Sequence, residues 1–109
     1  MNAELDKFMA EKVMGWEELG FSWKDSEHNV KCDILDWHPT KDPGQAMRCA
    51  EKLSKDNTWR VEIDIVPHGF AVNIAEKTYG ENYLSSRFGD ELPLAICEAI
   101  VSAIKGANE

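Results

Sequence analysis

The chain is poor in the features that most directly name an activity. It has three cysteines, Cys32, Cys49 and Cys97, among 109 residues. They are odd in number, widely spaced and never paired as C-x-x-C. A disulfide framework and a zinc ribbon are thereby excluded, and reduced thiols are expected. No apolar run approaches the ~20 residues of a membrane helix. The first residues, MNAELDKFMAEK, lack a signal-peptide core, so the expected location is the cytoplasm of the cell that makes the protein. Positive charge is also scarce: 12 basic residues face 20 acidic ones, a net of −8. That balance argues against direct binding of nucleic acid or an anionic membrane, both of which need Lys and Arg to neutralise phosphate. Phosphate cradles of the types G-x-x-x-x-G-K-S/T and G-x-G-x-x-G are missing, as is a G-x-S-x-G elbow. His28, His38 and His68 fall in separate polar segments, without H-x-x-x-H or H-E-x-x-H spacing. No catalytic set, metal site or cofactor is expected, and the chain does not read as an enzyme.

What is present is enough for one domain over residues 1–109. Apolar residues make up 43%, and a chain of this size buries roughly two-thirds of its unfolded surface. Loose ends are expected only at residues 1–3 and 106–109. Leu5, Phe8, Met9, Val13 and Trp16 form one stripe at helical spacing, which predicts a helix over Glu4–Trp16 with Asn2 as cap. EELG (17–20) reads as its ending. A second helix is predicted over Pro43–Lys55. Asp42 caps it, Pro43 opens it, and Gln45 completes a capping box. Its buried side is read as Ala46, Met47, Ala50 and Leu53.

TWRVEIDIV then alternates with period two, placing Trp59, Val61, Ile63 and Ile65 on one face. Pro67-His68-Gly69 turns the chain into GFAVNIAEK. After a turn at YGEN, YLSSRF (83–88) makes a third strand. On the second strand, Ala71 and Ala75 are small enough to suggest close packing against them. The last helix, Glu91–Lys105 behind an Asp90 cap, is apolar nearly all round, with only Glu98, Ser102 and Lys105 as a polar stripe. It is expected between the sheet and another helix, or in a subunit interface. The order is α-(β)-α-β-β-β-α. The expected class is α+β: an antiparallel sheet of three to four strands layered with helices.

Residues 18–36 are the weakly patterned part, either a hairpin or a loose acidic insert. Glu17, Glu18, Asp25, Glu27, Asp33 and Asp36 lie in one twenty-residue window, opposed only by Lys24 and Lys31. Phe21, Trp23 and Trp37 flank them. Trp23 keeps no strand phase and is read as partly exposed. Aromatic side chains rimmed by charge are a common composition for a protein interface.

Three stretches resemble the phage ABA sandwich family: AEKVMGW (10–16), W-x-P-T-x-D (37–42) before a helix, and LPLAICEAI (92–100). With Trp59 on a strand, the likeness spans about Leu5–Ile104. It implies an antiparallel sheet layered with helices and a phage or prophage origin. It supplies no catalytic residues. Residues 18–35 depart from the family by their length. The expected activity is therefore binding. The contact residues are Glu17, Glu18, Phe21, Trp23, Asp25, Glu27, Asp33 and Asp36, and the partner is a host or defence protein with a basic surface. One concrete form is inhibition of a nucleic-acid-handling immune complex by an acidic, DNA-mimic-like surface. The alternative is a dimeric domain that sequesters a small ligand such as a nucleotide, using Arg60, Arg87 and Tyr83.

Overall fold

A computed structural model describes residues 2–76 and 83–107. The chain is α+β, with helices interleaved between two separate antiparallel sheets. The first helix, α1 (Ala3–Phe8), continues into a π-helical turn, Met9–Val13. Its N-terminus uses Asn2 through the backbone alone: Asp6 N donates to the Asn2 carbonyl, and the Asn2 side chain makes no cap. Gly15 ends it. With φ of +72° that residue takes a left-handed turn that costs glycine little. Trp16 N then reaches back to the Ala10 carbonyl at 2.9 Å. The stop therefore precedes EELG, whose first three residues begin the next sheet.

Residues 17–33 form a small meander: β1 (Glu17–Leu19), β2 (Ser22–Lys24) and β3 (Val30–Asp33). The two-residue loop joining β1 to β2 has Gly20 first, at φ +67°, which suits a tight hairpin. Ile34–Asp36 then makes one 3-10 turn.

Helix α2 (Pro43–Asn57) begins as expected. The Asp42 carboxylate accepts from the amides of Gly44 and Gln45. Gln45, however, does not close a capping box. Its side chain reaches past the cap, accepting from His38 N and donating to the Asp36 carbonyl at 2.7 Å. The helix runs two residues beyond Lys55 and stops at Thr58, which is left-handed. Its buried stripe is Ala46, Cys49, Ala50 and Leu53, while Met47 is 38% exposed. Cys49 rather than Met47 follows the i, i+3, i+4, i+7 spacing from Ala46.

The main sheet is the meander β4 (Trp59–Val66), β5 (Gly69–Glu76) and β6 (Tyr83–Gly89). Gly69 is needed for close approach, because a Cβ there would fall 2.4 Å from the Gly89 carbonyl oxygen. The turn read at YGEN lies outside the described residues. Helix α3 (Leu92–Ala107) covers β5 and β6, α2 lies against β4, and the first helix rests on both. Its first backbone bond, Ala95 N to the Glu91 carbonyl, puts Glu91 in the cap position, one residue after the expected Asp90. Ala3 and Gly106, read as loose ends, are helical. Inside the chain α3 buries Ala95, Ile96, Cys97, Ala99, Ile100 and Ala103, while Leu92, Leu94, Val101 and Ile104 are half-buried.

Val72, Ile74, Ile96, Ile100, Met9 and Cys49 are completely buried at the centre. Trp59, Val61 and Ile63 pack against them half-buried. Ile65 does not: one pair from the hairpin turn, it is 82% exposed. On the opposite face, Glu62 accepts from Arg60 Nε (3.1 Å) and Tyr83 OH (3.2 Å), and Ser86 donates to Asn73 Oδ1. The fully buried Ala75 lies between Arg60 and Tyr83 in register.

Candidate functional site

The small sheet carries the acidic and aromatic residues singled out in the sequence, and its attachment to the body is specific. Trp37 Nε1 donates to the Asp6 carbonyl at 2.8 Å, and Thr40 N donates to Asp6 Oδ1 at 3.0 Å. Trp37 also meets Trp16 edge-on, with ring centroids 4.7 Å apart. The segment from Trp37 to Asp42 is thus clamped to the first helix before α2 starts. Residues 17–36 are anchored at both ends, by Trp16 and by Trp37.

Period-two alternation sorts the sheet's side chains. Glu18, Trp23 and Cys32 share one face by register, while Glu17, Leu19, Ser22, Lys24 and Asp33 share the other. Trp23 is only 3% exposed and belongs to the hydrophobic core. The expectation of a partly exposed Trp23 at an interface is therefore corrected: it holds the small sheet to the body. No phase signal could reveal this, because a three-residue strand is too short to show one. Beside it lies a cleft of about 270 Å³, lined by Asp6, Glu18, Trp23, Leu35, Trp37 and His38 among others.

The acidic residues do not form one patch. Asp25 is committed to its own loop. Its Oδ1 accepts from Glu27 N and Asn29 N, both at 2.9 Å, and its Oδ2 lies 3.5 Å from Lys31 Nζ. The bond from the Asn29 amide is the main reason its carboxyl titrates below the ordinary aspartate value. Glu17 faces Lys24 across the strands, and Asp33 faces Ser22. Glu17, Glu18, Glu27, Asp33 and Asp36 are all exposed.

The most exposed apolar side chains gather at the other end from the Asp25 loop. Phe21, at the β1–β2 tip, is 91% exposed, and Leu35 is 84% exposed. Ile34 N donates to the Phe21 carbonyl at 3.1 Å, which sets Leu35 next to that tip. Leu35 was missed because it lies in the weakly patterned part of the sequence, where no period assigns it a face. The 3-10 turn sets it outward.

The alternative ligand set does not converge. Arg60 and Tyr83 both bond Glu62 on the open face of the main sheet, whereas Arg87 pairs in register with Val72 on the helix-covered face. Among the described residues, no group of three or more His, Cys, Asp or Glu is arranged to hold a metal ion, and no helix is long and apolar enough to cross a membrane.

A clamped first helix, the Trp37–Asp42 turn and a helix-covered meander together make up the architecture of the chain. The profile of the Phage ABA sandwich domain matches residues 7–101, and the chain belongs to that family. Its fold is similar to that of a phage protein from Bacillus cereus ATCC 14579 seen in a crystal structure. The TM-score is 0.65 over 96% of this chain and 88% of that one, at 16% identity. No curated protein matches the sequence.

Proposed function

We propose that this protein is a non-enzymatic phage accessory protein that acts by binding a host or defence protein through the small sheet. The supporting observation is the exposed pair Phe21 and Leu35, set in a segment bearing six carboxylates and two lysines. Exposed apolar side chains of this size usually mark a contact surface when grouped. The surrounding carboxylates select a basic partner and speed its approach. The partner class that fits is a nucleic-acid-handling host protein, an immune effector included, whose cationic groove the acidic rim would occupy. The dispersal of the carboxylates over both faces and ends favours an apolar anchor with an acidic rim over a continuous imitation of a phosphate backbone.

Affinity capture from host cells at two salt concentrations, read by mass spectrometry, tests this. One partner should be retained at low salt and reduced at high salt. Two variants make the test specific. Reversing Glu17, Glu18, Glu27 and Asp33 to lysine should abolish capture. Phe21→Ser with Leu35→Ser should do the same. Both should remain folded with a cooperative thermal transition, because exposed substitutions of this kind change stability by only about 0.5 kcal/mol each. Capture that survives both variants would sink the reading.

A further inference from the structure

A second site lies between α2 and β4 and uses none of the contact residues assigned above. Helix α2 and β4 enclose an open groove of about 560 Å³. Its floor is apolar: Met14 from the end of the first helix, Met47 and Ala50 from α2, and Val61 and Ile63 from β4. Ser54 Oγ donates to the Trp59 carbonyl at 2.6 Å and ties helix to strand at one end. β4 is an edge strand, so no further strand closes the groove. The volume is in the range that takes small organic ligands, ~300–1,000 Å³.

The rim has the opposite charge from the rest of the molecule. Arg48, Lys52 and Lys55 line it at i, i+4 and i+7, with Glu51 as the single carboxylate. Lys52 is neutralised by Asp56 at 2.6 Å. Among the described residues Arg48 and Lys55 make no ion pair. Setting Glu51 against them leaves a net positive rim on a chain of net charge −8. Met47, placed in the core by sequence pattern, instead sits 38% exposed over an apolar floor. Its flexible thioether adapts readily to a bound apolar body.

We propose that this groove binds a small amphiphile with one anionic head, of which a medium-chain carboxylate is the simplest case. The apolar body lies on Met14, Met47, Val61 and Ile63, and the head is held by Arg48 and Lys55. This site is independent of the small sheet, and either can fail without the other.

The test uses decanoate, with 1-decanol as the neutral control, on protein carrying methyl-labelled methionine. Decanoate should bind saturably at one site and shift the Met14 and Met47 methyl signals while leaving the buried Met9 signal in place. Decanol should bind about tenfold more weakly, and Arg48→Glu with Lys55→Glu should weaken decanoate by about tenfold, the product of two charge contacts of about threefold each. The thermal midpoint checks that this variant folds. If it does not, Arg48→Gln and Lys55→Gln are read singly, each expected to weaken binding about threefold. No saturable binding, equal binding of decanol, a shift at Met9 alone, or undiminished binding by the charge variants overturns the proposal.

Discussion

The two sheets solve the problem of stability in different ways. The main sheet has strands of seven and eight residues and buries one face under helices, with Val72, Ile74, Ile96 and Ile100 completely enclosed. Its cohesion comes from contiguous apolar area. The small sheet has strands of three and four residues. An assembly that short is marginal by itself. It is held by one buried tryptophan, Trp23, by the Trp16–Trp37 contact, and by the Asp25-centred loop. A region stabilised by a few anchors leaves the rest of its side chains free, and here those are charged groups and exposed apolar ones. The body spends most of its apolar residues on folding, and the small sheet displays the two most exposed ones, Phe21 and Leu35.

That contrast makes graded predictions. The largest effect should come from the body. Ile96→Ala removes a fully buried side chain and should cost about 2–5 kcal/mol, read as a shifted urea midpoint for the whole chain. A shift that leaves residues 17–33 unaffected would mean that the two regions do not share one core.

Trp37→Phe should cost less and act locally. It removes the donor to the Asp6 carbonyl, at about 1 kcal/mol, because that oxygen keeps its bond from Met9 N but loses the one that clamps residue 37 to the helix. Hydrogen exchange should rise in residues 17–36 more than in β4 and β5. Equal acceleration in both regions would assign the Trp37 clamp to the body instead.

Thiol labelling separates the regions without mutation. Burial pushes the Cys49 thiol up to about 12 and raises that of Cys97 as well. Cys32 on β3 is half-buried, and its thiol is raised first by desolvation and then by the nearby Asp36. Only thiolate reacts with a disulfide reagent. At pH 8 the folded protein should therefore label at Cys32 alone, more slowly than a free thiol, and at three sites once unfolded. Rapid native labelling of Cys49 would show that the helix layer opens readily.

The smallest effect belongs to the Asp25 loop. Because the folded carboxyl titrates below 3.8, its contribution is present above that value and is lost as pH falls through the lower, folded one. In acid, the amides of Glu27 and Asn29 should lose protection before any body amide does. Asp25→Ala should produce that loss at neutral pH. An Asp25 carboxyl that titrates at or above 3.8 would refute the loop's bond pattern.

Legibility in the sequence followed element length. The fifteen-residue α2, the sixteen-residue α3 and the three long strands were readable because each repeats its period several times. Asp42 and Pro43 announced α2 through local chemistry alone. Met47 and Ile65 were misread at the edges of long apolar faces, and the other misreadings fall where one period or less is available. Trp23 sits on a three-residue strand. Leu35 sits in a single 3-10 turn. Gly15 ends a helix whose last turn has widened to π geometry, two residues before the ending read at EELG. Gln45 had the spacing of a capping box but found nearer acceptors and donors in the preceding turn.

By itself, then, the sequence determined the α+β class, the order of the long elements and the acidic character of residues 17–36. Each of these is a property of local pattern or of composition, and neither needs a partner in space. Only the tertiary structure decided which tryptophan is an anchor and which apolar residues are displayed. It alone set apolar and cationic side chains from α2, the first helix and β4 along one groove. Burial and proximity depend on how elements far apart in the chain pack together, and a strand of three residues carries no record of what will cover it.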